Sequence, residues 1–144
     1  ISKQVDAVIG AYRNFELNQM AIVGHPGRAF YVEEEGVPAY DELIVVANRA
    51  ALERPALKAF VGVLERSVQY LINHPEESWR AFISYKKGLD DELNKRAWRD
   101  TLPRFALRPA ALDIGRYERF ASFVIKRGLA KKMPPVASYA VVVK

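Results

Sequence analysis

Cysteine is absent from the 144 residues. Within this segment that excludes disulfides, thiol catalysis and thiolate-held zinc, and it suits an oxidising compartment without demanding one. Apolar runs of the ~18 residues or more needed to span a bilayer are missing too. Histidine occurs twice, as His25 and His74, far apart and each beside a proline. No carboxylate pattern accompanies either, so no metal site is expected. No nucleophile–base pair stands out, so neither a catalytic residue nor a cofactor is expected.

What is present is the mixture of an ordinary globular protein: 50% hydrophobic and 27% charged residues, with a net charge of +5. The basic excess lies in the second half, where it alternates with acids, as in Asp90-Asp91-Glu92 before Lys95-Arg96. Such mixing describes solvated helix faces, so no nucleic-acid partner is expected. The sequence starts at Ile1 rather than Met and enters an apolar pattern almost at once. It reads as a piece of a longer polypeptide, so the missing leader says nothing about compartment.

Val5–Ile9 is apolar and β-branched and ends at Gly10, which predicts a buried strand. Asn14 offers an N-cap to a helix over Phe15–Val23, stopped by Gly24. Arg28–Val32 and Leu43–Ala47 are two further strand candidates, separated by Glu33-Glu34-Glu35 and the breaker Gly36-Val37-Pro38. From Pro55 the period changes: Leu57, Phe60, Val61, Leu64, Val68, Leu71 and Ile72 repeat at helical spacing as far as Asn73. Helices over Pro75–Tyr85, Asp90–Phe105 (interrupted near Pro103) and Asp113–Arg127 follow. Three strands early and four helices late make an α/β chain that finishes one lobe of a two-lobed protein and crosses back to the other.

The run from Val5 to Glu16, VDAVIGAYRNFE, with Tyr12, Asn14 and Glu16 after the strand and its glycine, resembles the C-terminal lobe of the NMT1/THI5-like family. Gly36–Leu43, GVPAYDEL, resembles that family's crossover, and Gly128-Leu129 followed by PVASY at 135–139 resembles its ending. The resemblance implies a type II periplasmic binding protein fold, of which this is the C-terminal part. Residues 1–38 would end the second lobe, and residues 39–144 would form the crossover and the helices returning to the first. It implies a protein without enzymatic activity, the substrate-binding component of an ABC importer for a thiamine-precursor pyrimidine, hydroxymethylpyrimidine or formylaminopyrimidine. Its partners would be that ligand and a membrane permease. Its location would be periplasmic or otherwise extracytoplasmic, with a lipoprotein anchor as one form. With the first lobe missing, the segment would expose apolar surface that favours self-association.

By the same resemblance Tyr12 stacks on the pyrimidine ring, Glu16 binds its amino-substituted edge, and Asn14 shapes the turn or donates a hydrogen bond. Taken singly these residues have plainer readings: Tyr12 a packed turn tyrosine, Asn14 a cap, Glu16 a first-turn helix acid. The chemistry suits the ligand class, because a tyrosine offers a flat apolar face with a polar tip and a carboxylate accepts from an exocyclic amine. Its second oxygen faces a ring nitrogen, so binding is expected to be proton-linked. The rivals are a pyrimidine synthase and a carrier of sulfonate or nitrate. The synthase branch has a cysteine-rich run before Leu43, where this chain has Tyr40-Asp41-Glu42. An anion carrier would favour a cation or free N–H groups where this chain has Glu16. Gly36-Val37-Pro38 is the expected hinge-side segment.

Overall fold

A computed structural model describes residues 5–143. Residues 1–4 and 144, at the outer ends of the two stretches expected above, lie outside the described residues. Among the described residues there are five α-helices: α1 (Glu16–Ile22), α2 (Pro55–Asn73), α3 (Pro75–Tyr85), α4 (Glu92–Thr101) and α5 (Ile114–Lys126). Single 3-10 turns occur at Arg49–Ala51, Leu102–Arg104 and Val136–Ser138. The chain divides into two compact units, one of Ile1–Ala29 with Ser67–Leu107, the other of Phe30–Arg66 with Arg108–Lys144. The division falls inside α2.

Local chemistry sets each helix end. Pro75 disfavours helical backbone at His74, which adopts φ −129° and ψ 58°. Helix α2 therefore stops at Asn73, and the same proline opens α3, whose first turn carries Glu76 and Glu77 toward the positive end of the dipole. Asp91 caps α4 by accepting from the Asn94 N–H at 2.7 Å, and Asp113 caps α5 by accepting from the Arg116 N–H at 3.0 Å. Pro103 sits in the 3-10 turn that ends α4. Gly24 and Gly128 follow α1 and α5 with φ of +78° and +70°, the left-handed backbone that closes a helix.

In the first unit Val68 is buried, and α3 packs on α4 through Trp79, Phe82 and Trp98, with ring centroids 5.3–5.8 Å apart. In the second, Val136 is buried, Tyr40 lies against Phe120 at 5.0 Å, and Tyr117 lies against Tyr139 at 6.0 Å. The tryptophans and Tyr40 therefore pack.

Helices α2 to α5 fall where the periodicity places them, but no strand occurs among the described residues. The α/β expectation is thus met in its helices and not in its strands. A strand exists by pairing, and apolar β-branched composition only favours one once a neighbour is present. Val5–Ile9 and Leu43–Ala47 have no ladder partner and remain solvent-exposed, with Ile9 and Leu43 at 104% and 86% of full exposure. At 28–32 the reason is local. The N–H groups of Glu34 and Glu35 donate to the Tyr31 carbonyl and that of Val37 to the Val32 carbonyl, so the end of this segment is part of a turn. Gly36 completes it at φ +86°.

Candidate functional site

The turn leading into α1 brings Tyr12 and Glu16 together. The N–H groups of Phe15 and Glu16 donate to the Tyr12 carbonyl at 3.1 and 3.0 Å. In return, Glu16 Oε2 accepts from the Tyr12 backbone N–H at 2.7 Å. The two residues thus close a small ring of hydrogen bonds. A carboxylate has about four acceptor positions, so the bond to Tyr12 leaves capacity for a further donor. Tyr12 is half-exposed.

Asn14 has a different position from the cap the sequence suggested. Phe15 is the residue preceding the helix, and it makes no side-chain cap bond. The Asn14 amide instead donates to Thr101 Oγ1 at 2.5 Å. One turn later Asn18 Nδ2 donates to Asp100 Oδ2 at 2.8 Å and to the Asn14 carbonyl at 3.0 Å. Asn18, Asp100 and Thr101 are the residues that sequence reasoning missed. The available signal was the pair Asn14 and Asn18, four apart across the start of α1, although nothing in it pointed to α4.

The electrostatics follow the same contacts. Donation from Asn18 holds the Asp100 carboxyl below the usual aspartate range, the guanidiniums of Arg99 and Arg104 act in the same direction, and partial burial opposes them. In the second unit Arg116 donates to Asp41 in a short contact, and this raises the guanidinium pKa. Burial pushes the Tyr117 hydroxyl up, and Asp41 adds to it.

Two concavities accompany these features. A groove of about 420 Å³ is lined by Gln19, Met20, Val23 and His25 at the far end of α1. A cavity of about 200 Å³ in the second unit is lined by residues including Tyr40, Asp41, Arg116, Phe120 and Tyr139. Neither is lined by Tyr12, Asn14 or Glu16.

Comparison with known proteins gives a consistent set of relatives. The model of the family described as NMT1/THI5 like matches residues 1–78, which include the Tyr12–Glu16 turn. A putative thiamine biosynthesis protein of Haemophilus influenzae is 49% identical over 142 residues, covering 98% of this chain and 45% of that protein. A formylaminopyrimidine-binding protein of Halalkalibacterium halodurans is 30% identical over 96 residues, 65% of this chain and 28% of that protein. The chain thus spans less than half the length of the curated relatives it matches. No solved structure matches it.

Proposed function

This chain belongs to the NMT1/THI5-like family, and on that premise we propose that it forms part of a substrate-binding protein that captures a thiamine-precursor pyrimidine for an ABC importer. One observation carries the reading: the two relatives bear names from the same chemistry, thiamine biosynthesis and formylaminopyrimidine binding. The Tyr12–Glu16 turn supports it, because it joins a half-exposed aromatic face to a carboxylate within one hydrogen-bonded ring.

In this reading Tyr12 stacks on the pyrimidine and Glu16 accepts from its exocyclic amine. Asn14 belongs to the same turn. The protein binds without chemistry. Two lobes close over the ligand by hinge motion, and the closed form docks on a membrane permease on the extracytoplasmic side.

Calorimetric titration of the intact protein with formylaminopyrimidine and hydroxymethylpyrimidine tests this. Glu16→Gln keeps an oxygen for the Tyr12 N–H but removes the charge. It is expected to weaken binding roughly tenfold to a hundredfold, the worth of a hydrogen bond to a charged group. Affinity that is flat across neutral pH would count against the proton link. Failure of the intact wild-type protein to bind either pyrimidine would refute the function, and binding of an alkylsulfonate instead would move it to the anion carriers.

A further inference from the structure

The proposed recognition turn stands on a helix that cannot hold itself. Helix α1 has seven residues, no buried side chain and no N-cap side-chain bond. Two turns of helix are too short to be stable alone, so tertiary contacts must set its direction. In the first unit those contacts include two amide bonds to the last turn of α4, spanning 87 and 82 residues of sequence.

Building on the reading above, we infer that Thr101 and Asp100 are positioning residues for ligand capture, which hold Tyr12 and Glu16 in place through Asn14 and Asn18. The polarity of each bond is fixed. The single Thr101 hydroxyl proton is spent on the Ala97 carbonyl at 2.6 Å, so its oxygen can only accept from Asn14. The Asp100 carboxylate has no proton to give, so it can only accept from Asn18. Both asparagines must therefore turn their NH₂ groups toward α4. Asn18 also donates to the Asn14 carbonyl, which ties the two anchors together. Because Tyr12 and Glu16 are joined by two hydrogen bonds, a tilt of α1 displaces the stacking face and the carboxylate at once. In this assignment Asn14 serves the site by fixing the turn rather than by touching the ring.

Thr101→Val removes the acceptor at nearly constant shape, and Thr101→Ser restores it. Both are made in the intact protein and examined in two ways. Amide hydrogen exchange is followed across residues 11–23, with α3 of the same unit as internal reference, and formylaminopyrimidine affinity is measured by calorimetry. In Thr101→Val, exchange over residues 11–23 is expected to rise selectively and the affinity to fall roughly fivefold to tenfold, the loss of one hydrogen bond. Thr101→Ser should restore both. A purely structural role would raise exchange in α3 as well, and that outcome overturns the assignment. Unchanged exchange and affinity in Thr101→Val, or equal losses in Thr101→Ser, overturn it too. If the wild type binds no pyrimidine while exchange responds as expected, the anchor stands and the ligand reading falls. Should Thr101→Val fail to fold, Asn18→Ala severs the second anchor and is held to the same two readouts.

Discussion

Removing Trp98 should cost the first unit much of the contact between α3 and α4. Its ring centroid lies 5.6 Å from Trp79 and 5.3 Å from Phe82, so Trp98→Ala deletes two of the three pairings in the cluster. A fully buried large aromatic costs about 3–5 kcal/mol on truncation, and each ring pair contributes about 0.5–1.5 kcal/mol of that kind of contact. All three residues keep some exposure, so the cost sits at the low end of that range or just below it, about 2–3 kcal/mol. Trp98→Phe keeps a ring in both pairs and should lose about 1 kcal/mol. Equilibrium urea unfolding of the intact protein, followed by far-ultraviolet circular dichroism, measures both variants. With a slope of about 1–3 kcal/mol per molar urea, Trp98→Ala should lower the midpoint by about 1 M. A midpoint within about 0.2 M of wild type, about 0.2–0.6 kcal/mol at that slope, would mean that the aromatic cluster does not hold the two helices together. Equal losses in the alanine and phenylalanine variants would put the cost on indole size rather than on ring pairing.

Two further outcomes follow from side chains at helix ends. Asp91→Ala and Asp113→Ala each delete a cap that accepts a backbone N–H, so each should cost about 1 kcal/mol in the same unfolding assay, while the asparagine variants should be nearly silent. The lowered pKa of Asp100 makes the folded state bind fewer protons than the unfolded chain. Its contribution is therefore present above the usual aspartate pKa and lost as pH falls through the depressed value. Unfolding midpoints measured from neutral pH into acid should fall less steeply in Asp100→Asn than in wild type, and parallel curves would remove Asp100 from the pH response.

The helices were legible because their signals are local. Pro55, Pro75, Asp91, Asp113, Gly24 and Gly128 act within a turn or two of where they stand, through φ restriction, capping or left-handed backbone. The strands were not, because pairing joins residues that the sequence does not mark as neighbours. Ile9 and Leu43 have the composition of strand residues and stand exposed without a ladder. Val32 was misassigned for a smaller reason: the acidic run Glu33–Glu35 is the tip of a turn that already begins at Tyr31, and its hydrogen bonds reach back into the apolar segment.

The candidate site divides along the same line. Tyr12 and Glu16 are four apart across the turn that enters α1, so their mutual reach is local, and the structure closes them with a 2.7 Å bond. Their family resemblance and their local geometry therefore concern the same short segment. Asn14 shows where local reasoning stops. An asparagine just before a helix is a good cap by every local rule, yet a cap competes with any stronger partner the fold supplies. Thr101 supplies one, because its proton is already committed to Ala97 and its oxygen faces the amide. The same amide group can close a helix or tie it to a neighbour, and only the fold decides between them. A cap would have stabilised α1 without directing it. The bond to α4 gives the helix a direction, which is what the proposed recognition turn on a seven-residue helix requires.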